Sequence, residues 1–379
     1  MKRVGELLVA FLIVLVIVYM KPVVLSYNQP KLEEGTELID VSLVEKSISY
    51  NELNATGMAN YIGMTESNFL KTKPKPLEEW QVDPNRKWLL YGDNSRDYYQ
   101  IEVVDGVIAS VFTLGSETET LPFQFGMTLA DISEITTIYS NFDFDFEGEH
   151  YSIEFTEDDM NYRPLVAFNN DSFALLHFDY HSSQLIGIRY LDKKTLLSLI
   201  PPQNATSKSH DLNNVSPDKE KEFNQAYSDQ LLSLLNTLRE EDDRKLLARD
   251  THISNVSREA LRELSEHPES IFKKEERLLE WEEKRAIPDQ SFALNEDELR
   301  RVIQKGNPNS KKISGLYANQ VYDIPFLVMD WYGERFSYKE LTDKRDELTG
   351  ISIDSHQLLI LFGPKKGVDN LTIESSDSQ

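Results

Sequence analysis

The chain has 379 residues, 40 of them Lys or Arg and 64 Asp or Glu, for a formal charge of −24. A polyanion of that size does not take hold of nucleic acid or an anionic lipid surface through bulk electrostatics. It contains no cysteine, which excludes disulfides and thiolate chemistry and, among exported proteins, favours a Gram-positive type of bacterium over a eukaryotic secretory route.

Residues 1–25 open with Lys2 and Arg3 and continue as Leu7–Met20, fourteen uncharged and mostly large apolar residues. With Lys21 snorkelling and the helix continued to Leu25, the apolar span is nineteen residues. At about 1.5 Å per residue this covers roughly 28 Å, close to the ~30 Å hydrocarbon core. The positive charges at the amino end keep that end in the cytoplasm, so the rest of the chain is expected outside the cell. Two readings compete: an uncleaved single-pass signal anchor and a cleaved signal peptide. The following Val23–Pro30 has no small-x-small site, which favours the anchor. Residues 26–56 are polar and read as a tether.

Residues 57–200 contain an internal repeat. Ile62-Gly63-Met64-Thr65 recurs as Phe125-Gly126-Met127-Thr128. In each copy the threonine is placed to cap a short helix, over Glu66–Leu70 and Leu129–Tyr139. Strands follow at Lys87–Tyr91, Tyr98–Val104 and Val107–Leu114 in the first copy, with Asp105-Gly106 as a two-residue hairpin turn. In the second copy they fall at Tyr151–Phe155, Ser172–Tyr180 and Leu185–Leu191, with His181–Gln184 as the turn. The module reads as helix, strand, hairpin, twice over. Pairing the two copies is expected to bury the apolar sheet face of each.

Residues 201–222, with two prolines and no apolar periodicity, read as a linker. Helical spacing then returns. Helices are expected over Phe223–Leu238, over Ser254–Ser265 with Ser254 or Asn255 as cap, and over Pro268–Ile287. A fourth opens at Asn295, with Glu298 completing a capping box, and ends near Gly306; a fifth covers Val321–Arg335. Two strands, Gly350–Ser355 and Gln357–Gly363, close the region. Residues 365–379 form an acidic, serine-rich tail expected to be disordered. The fold class expected is α+β: an amino-terminal transmembrane helix, a duplicated α-β-β-β module, then an α/β/α sandwich over 223–364.

Several constellations could carry chemistry. His177, Asp179 and His181 alternate along one strand and would share its face, either as metal ligands or as an exposed face over a core of Phe178 and Tyr180. Asp143–Glu149 is acidic and alternating, which suits either calcium or a solvated strand with Phe144 and Phe146 inward. The run Glu275–Lys284 reads as a solvated helix face; Glu282 and Glu283 are weak candidates for carboxylate ligands. His252 and His267 lie near Ser257 in sequence, but no spacing rule makes a triad of them. No P-loop, Rossmann, Gly-x-Ser-x-Gly or His-Glu-x-x-His pattern occurs, and no cofactor is expected.

Residues 57–200 resemble the CAP-associated amino-terminal domain of some Gram-positive surface proteins. The resemblance rests on Ile62-Gly63-Met64, the Trp88–Tyr91 strand, the Tyr98–Phe112 hairpin with Asp105-Gly106, the second Phe125-Gly126-Met127 and the hairpin at Phe178-Asp179. In that family the domain sits between an export segment and a carboxy-terminal CAP, or SCP-like, domain. The later residues resemble such a domain in outline. Leu231–Arg239 with Asn236 matches the opening helix, Asp330-Trp331-Tyr332-Gly333 the Trp helix, and the last two strands the closing pair. The cavity residues depart. The resemblance implies two histidines and two glutamates able to hold zinc, whereas this chain has Ser257 and Ser337 at the histidine places. It has Ala318 where a glutamate is expected, beside Asn319. Serine hydroxyls do not replace imidazole as ligands near neutral pH. The expected candidate pseudo-cavity is therefore Ser257, Ser337, Asn319 and Trp331, without bound metal and open to a small polar ligand.

Together these readings lead to a non-catalytic binding or scaffold protein held in the cell membrane by its amino-terminal helix. Its body is extracellular, and its partner is another envelope protein, a cell-wall component or a small molecule. The alternative is a cell-surface hydrolase acting in the CAP cavity.

Overall fold

A computed structural model describes residues 50–202, 216–286, 290–308, 310 and 312–365. The apolar segment 1–25, the tether as far as residue 49, the middle of the expected linker and the tail beyond 365 lie outside the described residues. Among the described residues no helix is long and apolar enough to cross a membrane.

Among the described residues the first elements are a two-residue strand β1 (Glu52–Leu53) and a 3-10 turn, Gly57–Tyr61. Then come α1 (Glu66–Thr72), β2 (Glu78–Asp83), β3 (Arg86–Tyr91), β4 (Tyr99–Val104) and β5 (Val107–Thr113). The second copy runs through α2 (Leu129–Ile135), β6 (Asn141–Phe146), β7 (Glu149–Glu154), α3 (Glu157–Tyr162), β8 (Leu165–Phe168), β9 (Ser172–Phe178), β10 (Leu185–Asp192) and α4 (Lys193–Leu199). The remainder is α5 (Pro217–Glu241), β11 (Ala248–Arg249), α6 (Thr251–Glu266), α7 (Glu275–Ala286), α8 (Glu296–Gly306), β12 (Ser314–Ala318), α9 (Ile324–Gly333), α10 (Arg335–Leu341), β13 (Leu348–Asp354) and β14 (Gln357–Gly363).

The repeat is real at the level of hydrogen bonds. Gly63 N–H donates to Ile108 O and Gly126 N–H to Leu185 O, both at 2.9 Å. Ile108 N–H and Leu185 N–H return bonds to Met64 O and Met127 O. Both glycines sit at positive φ, 81° and 87°, which an L side chain adopts only with strain. In each copy the glycine turns the chain so that the next threonine can bridge the start of the hairpin's second strand. The bridges are Thr65 to Val107 and Thr128 to Gln184.

The copies do not pair face to face. β5 and β10 pair antiparallel, edge to edge, and fuse both copies into one eight-stranded sheet of order β1-β8-β9-β10-β5-β4-β3-β2. Pairing through the open edges satisfies backbone groups that face-to-face packing would leave bare. The carboxy-terminal end of the expected tether belongs to this sheet: Tyr50 is buried and β1 pairs parallel with β8.

Both faces of the sheet are covered, and strand alternation sends side chains into two cores. In β3, Leu89 and Tyr91 join the cluster under α1, α2 and the 3-10 turn. Trp88 and Leu90 point the other way, into a cluster with Leu231, Leu234 and Leu235 of α5 and with Leu358 and Ile360 of β14. The rest of that second face is closed by the β6–β7 hairpin, through Phe142, Phe144 and Ile153, and by Leu196 of α4. The 25-residue helix α5 thus lies between two sheets. The second sheet has the order β11-β13-β14-β12. Its far face packs on α6, α7 and α8 through Ile253, Trp281, Val302, Leu359 and Leu361. The amino-terminal and carboxy-terminal parts therefore share one core.

Several expectations shift at their boundaries. Residues 217–222 are the first turns of α5 rather than linker, with Pro217 at the position whose N–H needs no partner. The cap of α6 is Asp250, which accepts from Ile253 N–H at 2.8 Å, not Ser254 or Asn255. The expected third helix is broken into a 3-10 turn at Pro268–Ser270 and α7. The fifth is shortened to α9 by a cap at Asp323 and is followed by α10. The Asn295–Glu298 capping box forms as expected. The expected helix over Leu129–Tyr139 stops at Ile135, because the chain must reach the β6 strand at Asn141.

Candidate functional site

The four expected pseudo-cavity residues do not converge. Ser257, on α6, is fully buried, and its hydroxyl donates to Leu359 O of β14 at 2.7 Å. It pins helix to sheet and is spent. Ser337, on α10, donates to the Glu334 carboxylate at 2.5 Å. Asn319, just after β12, holds the 290–292 segment: it accepts from Phe292 N–H and donates to Gln290 O, both at 2.8 Å. Trp331 of α9 is buried in the shared core, and with Asn319 it lines a cavity of about 360 Å³ that neither serine reaches. On the α6 side of the small sheet the interior is closed by hydrogen bonds, from Trp281 Nε1 to the Tyr317 hydroxyl and from that hydroxyl to Gln357 Oε1. A zinc ion does not fit this donor set: one serine is committed to a carbonyl, the other to a carboxylate, and Ala318 offers nothing. Among the described residues no histidine serves Ser257 as a base. His252 faces Asn307 at 3.3 Å, and His267 lies exposed beyond the end of α6.

The strand histidine set is also dispersed. His177 is buried at 3% exposure, not on an open hairpin face, because α9 packs over this side of the large sheet. Burial, with Arg163 and Arg189 nearby, pushes its imidazole down to about 3. Asp179 accepts from the backbone N–H groups of His181 and Ser182, at 3.0 and 2.6 Å, and so builds the turn. Only His181 reaches solvent. In the acidic hairpin, Phe142 and Phe144 point inward and Phe146 is half-buried. Glu282 and Glu283 are exposed on α7.

Two features that sequence reasoning missed lie where the two parts meet. The first is a buried ionic cluster. Arg189, 1% exposed, donates through Nη2 to Glu102 at 2.8 Å and to Asp323 at 2.7 Å. Arg86 donates to the same two carboxylates and to Tyr322 O. Trp88 covers the Arg189 guanidinium at 4.4 Å. Burial raises the Glu102 carboxyl, but Arg86 and Arg189 overcome this and hold it below the usual carboxylate range. Asp323 also caps α9, so one carboxylate ties the start of that helix to the large sheet.

The second is a cleft of about 510 Å³. Its floor is apolar, with Leu114 and Leu185 from the large sheet and Leu238 from α5. Tyr332, Tyr338 and buried Asp179 also line it, together with the exposed Glu241 and Asp242. The Tyr332 hydroxyl is buried and has no hydrogen-bond partner among the described residues. Burial, with Asp242 close by, pushes this phenol well above its ordinary range. Tyr338 is pushed up to about 12, chiefly by burial and then by Asp179. The cleft joins residues more than 200 positions apart, and no local pattern announces it.

Residues 62–201 match the family described as CAP-associated N-terminal. This part of the chain is a CAP-associated N-terminal domain. The β5–β10 fusion and the two Gly-Met-Thr turns are the frame of that domain. Solved structures carry the likeness further. The protein is similar to an extracellular protein containing a SCP domain from Bacillus anthracis, with a TM-score of 0.65 and 19% identity, covering 85% of this chain and 100% of that one. It is also similar to a cysteine-rich secretory protein from Staphylococcus aureus, with a TM-score of 0.67 and 19% identity over 84% and 98% of the two chains. The CAP-associated domain and the α/β/α part behind it therefore share the fold of SCP-domain proteins. The chain is 24% identical over 188 residues to the uncharacterized membrane protein YlbC of Bacillus subtilis. That match covers 48% of this chain and 53% of the relative, so the chain spans about half the length of the curated protein it matches.

Proposed function

We propose that this protein is a membrane-anchored extracellular binding protein whose ligand site is the cleft between the CAP-associated domain and the SCP-like part, rather than the cavity of the SCP fold. The observation that carries this reading is the cleft itself. It is the larger of the two cavities described, it is built from both parts, and Tyr332 in its lining has a buried hydroxyl without a partner among the described residues. Buried polar groups are normally satisfied, so an unsatisfied one at a cavity wall suits a ligand or a water. The positions of the SCP cavity are, by contrast, filled and hydrogen-bonded. The apolar segment Leu7–Met20 supports the anchor, and the membrane relative in Bacillus subtilis agrees with it. The partner is a component of the cell envelope.

The test is binding of the purified full-length protein to isolated cell envelopes, with and without Ser116→Trp. Ser116 is exposed and lines the cleft, so an indole there occupies the cavity from its open side. Binding is expected to fall at least tenfold while the melting temperature stays within about 2 °C. Undiminished binding by the folded variant overturns the reading. Protease added to intact cells is expected to digest residues beyond 50; full protection would overturn the extracellular placement.

A further inference from the structure

We propose that the cleft binds a neutral pyranose oligosaccharide, with a strip of aromatic rings leading out of it as a further subsite; this rests on the cleft being the ligand site. A pyranose has apolar C–H faces and a rim of hydroxyls that both donate and accept, and the cleft holds a counterpart to each. For the faces there are Leu114, Leu185 and Leu238, and the half-buried ring of Tyr338. That ring does not stand alone. Its centroid lies 6.5 Å from His181 and 6.4 Å from Tyr180, and Tyr180 lies 5.8 Å from Tyr162. His181 is exposed and the three tyrosines are half-buried, so the whole strip reaches solvent. It runs from the cleft to a hollow of about 200 Å³ that Tyr162 lines. Tyrosine rings in such a setting give an apolar body to a ligand that is otherwise wet. For the hydroxyl rim the cleft has Ser95. This residue is 9% exposed, its hydroxyl has no hydrogen-bond partner among the described residues, and, unlike the sealed hydroxyl of Tyr332, it keeps contact with solvent where it lines the cleft. The Gln184 amide and the exposed carboxylates of Glu241 and Asp242 add acceptors that call for donors on the ligand. No lysine or arginine lines the cleft, so phosphate and carboxylate ligands are repelled. A proline-rich peptide, another guest of aromatic grooves, has no N–H at proline and leaves those acceptors unanswered. At about 510 Å³ the cleft is of small-ligand size, so a longer chain continues onto the strip.

Isothermal titration calorimetry tests this on the full-length protein in a detergent without a sugar headgroup, using diacetylchitobiose, tetraacetylchitotetraose, cellotetraose and tetra-alanine. The chito-sugars are expected to bind, the tetramer about fivefold or more tighter than the dimer, and tetra-alanine about tenfold or more weakly than either. A neutral ligand should lose less than about twofold in affinity between 0.1 and 0.5 M salt. Ser95→Ala removes a hydroxyl that no protein group uses, so it should leave the melting temperature unchanged and weaken both chito-sugars about threefold or more. Tyr162→Leu should abolish the advantage of the tetramer and leave the dimer's affinity as it was. Cellotetraose as tight as chitotetraose supports recognition of the ring and its hydroxyls; weaker cellotetraose supports recognition of the N-acetyl group as well. No binding of any sugar, or tighter binding of tetra-alanine, overturns the inference, and equal affinity of dimer and tetramer overturns the strip. Unchanged binding by the Ser95 variant overturns the cleft wall as the contact. If sugars fail but envelope binding still depends on Ser116, the cleft remains the site and only the ligand class is wrong. If envelope binding ignores Ser116→Trp, the site itself is wrong.

Discussion

His177 shows how far a single side chain's setting departs from its sequence. On paper it alternates with Asp179 and His181 as a ligand or a solvated face. In the fold it is a neutral imidazole under α9, pushed to about 3 by burial and by the guanidinium groups of Arg163 and Arg189. The unfolded chain takes up a proton near 6.5, whereas the folded one resists it down to about 3. This contribution to stability is therefore complete above about pH 6.5 and is lost as pH falls. Between pH 8 and pH 5 the loss is about 2 kcal/mol. Urea unfolding across that range should show it, and His177→Gln should remove about that much of the slope. An unchanged slope in the variant would mean that other groups set the acid sensitivity. Ser257 teaches a similar lesson. A hydroxyl that could be nucleophile or ligand is fully used in holding α6 against β14.

At the scale of elements, what the sequence announced most clearly was set by local backbone chemistry. The Asp105-Gly106 turn, the Asn295–Glu298 capping box and the two Gly-Met-Thr turns are all present. Each depends on residues within a few positions of one another. Boundaries failed where the apolar pattern is silent or a distant partner decides them: the first turns of α5, residues 217–222, are largely exposed and carry no apolar spacing, and β1 exists because β8 offers an edge. The contact of α6 with β13 depends on a close approach. A Cβ on Gly350 would lie 2.3 Å from the backbone of Ile253 and Ser254. Backbone atoms in a packed helix cannot yield as a flexible side chain can. Gly350→Ala is expected to cost about 3 kcal/mol, read as a lowered denaturation midpoint. A loss under about 1 kcal/mol would show that α6 can slide on the sheet.

For the whole molecule, the shared core and the buried ionic cluster join the CAP-associated domain to the SCP-like part. Asp323→Asn keeps a side chain able to cap α9 but leaves Arg189 with one carboxylate instead of two. Breaking a buried ion pair by removing one partner costs about 3–5 kcal/mol, far more than an exposed pair. Chemical denaturation should show a loss near the lower figure, since Glu102 still compensates Arg189. A loss comparable to that from an exposed pair such as Arg345–Asp343 would mean that apolar packing alone holds the two parts together.

By itself the sequence determined the charge, the absence of thiols, the apolar amino-terminal run, the repeat and most helices and strands. These follow from composition, from residue periodicity and from turn chemistry that acts over a few residues. Only the tertiary structure decided that the repeats fuse through their edges, that α5 lies between two sheets, and that Ser257 and Ser337 stand apart. It alone assembled the cleft and the cluster in which Arg86 meets Asp323, 237 positions away. Such contacts are chosen by burial and charge pairing among whole elements, and no local window of residues contains both partners.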